Sequence, residues 1–506
     1  MTDPTRAALR GAGPWMVLAT LVAAWIAAVP LEGIPHVTDE ISYTLQARLF
    51  AAGARTGPAL PYPSMLTFPY WNGAGASFSP FPPGWPALLA TGAGFGLGWL
   101  VNPVLVGLLP LMAWLLGREW AGQRVADLAA VAAAVSPAVL VVAASHMSHT
   151  SVLVALAGLL VVVVRRRDGA AWWWIAGAAA AYVVLARPYD AALVGGPLLV
   201  LGLLRAPSMV ARVPLVLLPG LATALLLADN LALTGSLLRF PMDAYFDQVV
   251  GDARAGCNRL GFGADVGCVA TQGSFGHTPA KAAANLWQSA LALDRMTLGM
   301  PLGGVAALVG LALLKKRLPW LILVAVAGGY ALYWSPGQAY GARFWQPMWA
   351  VLPVGVAVVA ARVGRLAVPL VAAVGLAGTA WLLPDLGDRY WCTDGALGDA
   401  LAERDIHEGV VFVEGSGVRA AGWPRLGPPQ FGCNGVLESG DHMLLVDPTR
   451  ATGGLQLRHA LADPAHMAPY LAEVHPGAAA WLATHDIALD RWTLRPVLAP
   501  SAPPAP

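Results

Sequence analysis

Apolar residues dominate the chain in long runs, broken at intervals by short basic or Gly/Pro-rich stretches. Beyond a first run ending near Pro30, apolar segments cover about residues 99–116, 125–143, 150–164, 171–186, 190–204, 212–229, 298–314, 318–334, 344–361 and 366–383. Runs of about 18 residues or more are long enough to cross a bilayer as helices. A shorter apolar segment, 86–98, carries Gly92, Gly94, Gly96 and Gly98. It reads as interfacial or re-entrant. Past residue 384 the pattern changes. Gly409-Val-Val-Phe-Val413 and His442-Met-Leu-Leu-Val446 read as short buried strands, Pro469 to Thr484 as partly helical, and Gly415-Ser-Gly417 as a plain turn.

Basic residues set the expected topology. They cluster at Arg6/Arg10, Arg118/Arg124, Arg165-Arg166-Arg167, Arg205/Arg212, Lys315-Lys316-Arg317 and Arg362/Arg365. If 86–98 does not cross, every cluster falls on one side; if it crosses, the first stands opposite all the others. The reading is therefore eleven spans, with an uncleaved first span, the N-terminus inside and the C-terminus outside. The expected architecture is an all-α polytopic membrane protein of about 11 transmembrane helices plus interfacial helices. A small extramembrane α/β domain follows at the C-terminus. The boundaries are 1–383 for the membrane domain, with outer loops 32–83 and 230–297, then 384–499 for the α/β domain and 500–506 for a disordered Pro/Ala tail.

Composition agrees: 57% of the 506 residues are hydrophobic and 12% charged, which excludes an ordinary soluble globular protein. A net charge of +2 gives no argument for a nucleic-acid partner. The four cysteines lie outside the spans without a CxxC pattern. Disulfides Cys257–Cys268 and Cys392–Cys433 form if both regions face an oxidising compartment; free structural cysteines are the alternative. High Ala, Gly and Arg with almost no Lys suggests a GC-rich bacterial genome, and so a plasma membrane with the outer face toward the periplasm.

The outer face collects the chemically capable groups. Pro35 bars a helix before it, and Thr38 or Asp39 can cap one beginning there, with Asp39 and Glu40 in the dipole-favoured first turn. Ile41, Leu45, Leu49 and Ala52 give that helix one apolar face, and Gly53 can end it. The carboxylate pair suits a general base or a metal ligand, or merely caps an interfacial helix. Tyr43 and Gln46 share a face with the acids. His146 and His149 bracket a turn at a span end, as phosphate or hydroxyl ligands, half of a metal site, or polar caps. Arg187 and Asp190 either serve a site or pair with each other. Trp71, Trp85 and Trp172-Trp173-Trp174 read as interfacial belt residues.

Three motifs in order carry a resemblance: Thr38-Asp-Glu-Ile-Ser-Tyr43, Phe81-Pro-Pro-Gly-Trp-Pro86 and Tyr340-Gly-Ala-Arg-Phe-Trp345. Over about residues 10 to 383 the chain resembles the GT-C membrane glycosyltransferases. The nearest branch is family 39, with its protein O-mannosyltransferases and lipid A aminoarabinose transferases. The resemblance implies inverting sugar transfer on the outer face, from a polyprenyl-phosphate carrier to a lipid, glycan or protein acceptor. It makes Asp39 the catalytic base. Glu40 then orients the acceptor or holds a divalent metal together with Asp39. Arg343 is the first choice of cation for the departing phosphate, Arg187 the second, with Tyr340 beside Arg343 in the motif. Two rivals share the hydropathy: a transporter or flippase, and another lipid-linked phosphotransferase or ligase. The first puts ionisable groups near the midplane, and the second does not need acids directly after the first span.

Overall fold

The computed structural model describes residues 4–59, 62, 70–72, 75–165, 169–387, 390–416, 418–419, 433–434, 441–450, 453–459, 467–486 and 491–497. The expected tail, 500–506, lies outside them, as do Arg166 and Arg167 and the side chains of Cys392 and Cys433. The fold is mostly helical, with one small mixed sheet. It divides into two compact units, neither continuous in sequence. The first comprises Met1–Ala28, Pro82–Trp85 and Leu100–Pro384, the second Val29–Phe81, Pro86–Trp99 and Asp385–Pro506.

Helices build the first unit. Four among the described residues are long and apolar enough to cross a membrane: Ala7–Ala28, Gly98–Ala121, Met209–Thr234 and Gly364–Gly387. Two bent pairs raise the number to six if each is one span. Gln123–Val135 meets Pro137–Ala144 at 45°, and Pro279–Leu298 meets Gly303–Leu313 at 86°. His149–Arg165, Ala170–Ala186 and Arg317–Ala331 are shorter apolar helices. The eleven expected runs thus become fewer long helices, because prolines and glycines break them. Pro347, which has no N–H to donate, sits inside a 3-10 stretch at Arg343–Ala350, and the α-helix begins only at Leu352. Packing elsewhere is close enough to need glycine. A Cβ on Gly310 would lie 1.8 Å from the carbonyl oxygen of Gly355, so these two helices touch backbone to backbone.

The Gly84–Ala93 helix is 10 residues long. At 1.5 Å per residue it reaches roughly half of a hydrocarbon core about 30 Å thick.

A sheet anchors the second unit. Its strands are β1 (Gly409–Ser416), β4 (Leu455–His459), β5 (Ala480–Asp486) and β6 (Arg491–Pro496), in the order β4-β1-β5-β6. The short β2 (Val418–Arg419) and β3 (Cys433–Asn434) pair separately. β1 runs parallel to β4 and β5, and β6 is antiparallel to β5. One sheet face buries Val410, Phe412 and Leu482 against Tyr470 and Leu471. The opposite face buries Val411, Val413, Leu457 and Ala483 together with Ile41, Leu45 and Leu49. The apolar stripe of the Thr38–Ala51 helix therefore packs on this sheet.

Three local expectations change. Asp441–Leu444 is helical where a strand is expected, Gly415 and Ser416 continue β1 where a turn is expected, and Pro469–Thr484 is divided between the Met467–Val474 helix and β5.

Candidate active site

The acidic pair is shaped by backbone demands. The helix runs Thr38–Ala51 with Val37 as its N-cap, so neither Thr38 nor Asp39 caps it. Glu40 does. Its Oε2 accepts the backbone N–H groups of His36 and Val37, each at 2.9 Å, and the side chain is buried. Donors left over at a helix start need such an acceptor. Asp39, one residue earlier, is half-buried. Gln46 is also occupied by backbone: its Nε2 donates to Arg55 O at 2.9 Å, and its Oε1 accepts from Ser79 N at 3.0 Å. It fixes the loop after the helix. Tyr43 packs on Phe81, ring centroids 4.5 Å apart. Sequence reasoning missed His36, whose ring nitrogens lie 3.0 Å from Tyr390 O and 3.1 Å from Leu31 O. Thr393 Oγ1 donates to His36 O at 3.1 Å, tying this turn to residues some 350 positions later.

The basic and aromatic groups form a second constellation, wholly within the first unit. Arg187 Nε meets Asp190 Oδ2 at 2.5 Å, Arg187 Nη2 donates to the Tyr330 hydroxyl at 2.9 Å, and that hydroxyl donates to Asp190 Oδ1 at 2.7 Å. Arg187 Nη1 reaches Ser148 Oγ at 3.4 Å. The Arg187–Asp190 pairing is therefore real, and a tyrosine closes it into a ring.

Phe344 is the hub of this group. The guanidinium carbons of Arg187 and Arg343 lie 5.5 Å and 5.3 Å from its ring centroid. Tyr330 stacks on it at 5.0 Å and His149 at 5.8 Å. Arg343 is only 8% exposed. Its position follows from an unusual turn, since Tyr340 and Gly341 have φ of 54° and 81°, consecutive left-handed residues just before the 3-10 stretch. Gln346 Nε2 then anchors the stretch by donating to Ala138 O at 2.8 Å.

His146 and His149 differ. The carbonyl oxygen of His146 accepts the Trp85 indole N–H at 2.8 Å. Trp85 is thereby a fully buried strut and not a belt residue; Trp71 is buried too, as is Trp173, while Trp172 and Trp174 are exposed.

The structure thus brings Arg187, Asp190, His149 and Arg343 together in one unit, with Tyr340 on the turn that leads to Arg343. Asp39, Glu40, Tyr43 and Gln46 belong to the other unit. Sequence reasoning did not single out Tyr330, Phe344 or Ser148 as functional candidates, although Phe344 lies in the Tyr340–Trp345 motif and Ser148 at a span end. No group of three or more His, Cys, Asp or Glu side chains among the described residues could hold a metal ion. Cys257 and Cys268 are joined as a disulfide between the Met209–Thr234 and Pro279–Leu298 helices, which take up both ends of the expected 230–297 loop.

No family model matches the chain, and no curated protein matches it. Solved structures do. The chain is similar to ArnT from Cupriavidus metallidurans in the apo state, with 15% identity over 93% of this chain and 92% of that one, at a TM-score of 0.49. The same protein bound to undecaprenyl phosphate gives 16% identity over 78% and 73%, at 0.46. The archaeal oligosaccharyltransferase AglB from Archaeoglobus fulgidus, in complex with an inhibitory peptide and a dolichol-phosphate, gives 16% identity over 77% and 56%, at 0.33. No residue role rests on these likenesses.

Proposed function

We propose that the chain is a membrane glycosyltransferase that moves a sugar from a polyprenyl-phosphate donor to an acceptor at the extracytoplasmic face of a bacterial inner membrane. In this reading it crosses the bilayer eleven times, with its N-terminus cytoplasmic. The observation that carries the reading is the cluster on Phe344, where two guanidinium groups and a buried imidazole share one ring. Two guanidinium groups on one aromatic ring among apolar helices suit an anionic group of a substrate. A phosphate that gains charge as it leaves is such an anion, and fixed guanidinium groups stabilise that charge.

The reaction is a single displacement. An acceptor oxygen attacks the anomeric carbon, the bond from that carbon to the phosphate oxygen breaks, and its electron pair departs with the polyprenyl phosphate. Asp39 takes the acceptor's proton. Glu40, committed to two backbone donors, holds the turn that presents Asp39. Arg343 is the first cation for the phosphate charge, and Arg187, which pairs with Asp190, is the second.

The test is sugar transfer by membranes carrying wild type or Asp39→Asn, supplied with labelled polyprenyl-phosphate sugars. The wild type yields labelled product, and the folded variant loses activity by at least about a hundredfold, the usual scale of a lost general base. Absence of transfer from every lipid-linked donor sinks the reading and favours a transporter.

A further inference from the structure

His149 carries a signal that the phosphate reading alone leaves unexplained. It is 2% exposed, and among the described residues neither Nδ1 nor Nε2 has a hydrogen-bond partner. Buried polar groups are rarely left so, and a wholly unpaired imidazole marks a place where something else completes the bonding. It opens the His149–Arg165 helix, whose first N–H groups point the same electrostatic way as the nearby guanidinium groups.

The two nitrogens specify the missing group. With Arg187 and Arg343 over the same aromatic ring, a third positive charge is opposed by repulsion, so the imidazole is the uncharged member of the cluster. A neutral imidazole has one N–H donor and one lone-pair acceptor. A deprotonated phosphate offers only acceptor oxygens: it satisfies the N–H and leaves the other nitrogen orphaned. A ligand that pairs both must present an acceptor oxygen and a hydroxyl donor close together. A sugar joined to phosphate does so.

We propose that His149 is a specificity-determining residue that distinguishes glycosyl phosphate from bare phosphate, taking a sugar hydroxyl on one ring nitrogen and giving its N–H to an oxygen of the same donor. The inference rests on the lipid-phosphate reading above and deepens it. It has a kinetic corollary. Once the sugar has left, the polyprenyl phosphate no longer satisfies His149, so the product is held less tightly than the substrate and can depart.

The experiment titrates the purified full-length protein in detergent with two probes, undecaprenyl phosphate and a panel of undecaprenyl-phosphate hexoses and pentoses. Wild type, His149→Phe and His149→Asn are compared. Phe keeps the ring stack on Phe344 and removes both nitrogens; Asn keeps one donor and one acceptor. Wild type binds at least one glycosyl phosphate about tenfold tighter than the bare phosphate, the scale of one good hydrogen bond. In His149→Phe that ratio falls to within about twofold, because the glycosyl phosphate loses two contacts and the bare phosphate only one; His149→Asn recovers part of the ratio. A ratio unchanged in His149→Phe overturns the inference, as does an equal loss for both probes, which makes His149 a packing or phosphate group only. Should His149→Phe not fold, monodeoxy donors decide with wild type alone: one deoxy position costs about tenfold, and no loss at any position overturns the inference. Wild type that binds both probes equally also refutes it and leaves the phosphate reading standing. Wild type that binds neither probe removes the phosphate reading itself.

Discussion

Glu40 accepts the backbone N–H of Val37 at 2.9 Å, on the same oxygen that receives the N–H of His36. Removing that oxygen strands buried donors at the start of the helix that carries Asp39. Glu40→Ala is expected to lower stability by about 1–3 kcal/mol, and Glu40→Gln, which keeps an acceptor oxygen, by less. Thermal unfolding in detergent reads this directly. Asp39→Asn should leave the midpoint in place while abolishing transfer, so the two acids separate into a structural and a chemical role. A reversed pattern exchanges their roles.

The ring of Arg187, Asp190 and the Tyr330 hydroxyl predicts strong coupling. Asp190 is buried, so Asp190→Ala breaks a buried ion pair and should cost about 3–5 kcal/mol. Tyr330→Phe removes only the bridging hydroxyl and costs less. A double-mutant cycle between the two positions is expected to show non-additivity of about 0.5–3 kcal/mol. Additive losses would mean that the hydroxyl and the carboxylate act independently.

These relationships show what one sequence discloses and what it withholds. The stripe Ile41, Leu45 and Leu49 is legible from its period, and so is the helix. What the stripe packs on, Val411 and Leu457 among others, stands several hundred residues downstream, beyond any local signal. Arg187 and Asp190 are three apart and visibly able to pair, yet Tyr330, which completes their ring, is one tyrosine in an apolar run. Trp85 shows the same limit: tryptophan favours interfaces in general, and here a carbonyl 61 residues away buries it. His442-Met-Leu-Leu-Val446 failed differently. A five-residue apolar run fits a buried strand or a short helix equally, and the structure has it helical over Asp441–Leu444.

His475 gives the C-terminal unit a pH signature. Burial, and secondarily the Arg458 guanidinium, hold its imidazole below the ordinary histidine value of about 6.5. The unfolded chain therefore binds a proton at a pH where the folded chain does not. The stability that His475 permits is complete above that ordinary value and is lost as pH falls through the window below it. Hydrogen exchange of β1 and β5 amides, followed from pH 7.5 to 5, should show protection declining in wild type. In His475→Gln the decline should be shallower. Identical slopes would assign the acid sensitivity to other groups.

Cys257 and Cys268 close a small loop of the 230–297 segment. Constraining a loop of that size restricts the unfolded chain by about 3 kcal/mol at most. The paired Cys257→Ser/Cys268→Ser variant should lose stability by up to that amount, and its 251–278 segment should be cut by protease faster than in wild type. Equal cleavage rates would show that Arg254, which donates to Gly267 O at 2.8 Å, and the Lys281 ammonium, which donates to Gly276 O at 2.9 Å, hold the loop without the bond.

The turn before Arg343 offers the sharpest test of the phosphate role. Gly341 has a φ of 81°, and a Cβ there would stand 2.2 Å from Met296 Sδ. Gly341→Ala therefore meets two obstacles, a left-handed backbone and a thioether, and should displace the residues that follow. Met296→Ala in the same chain relieves only the second. If Arg343 binds the lipid phosphate, Gly341→Ala should weaken undecaprenyl phosphate binding nearly as much as Arg343→Ala, about tenfold or more for a lost charge-assisted contact. The Met296→Ala background should restore affinity only in part, since the backbone strain persists. Arg343→Lys, which keeps the charge and loses the planar fork, should fall between wild type and Arg343→Ala. Equal binding by wild type and Arg343→Ala would remove Arg343 from the site and leave the turn a structural device.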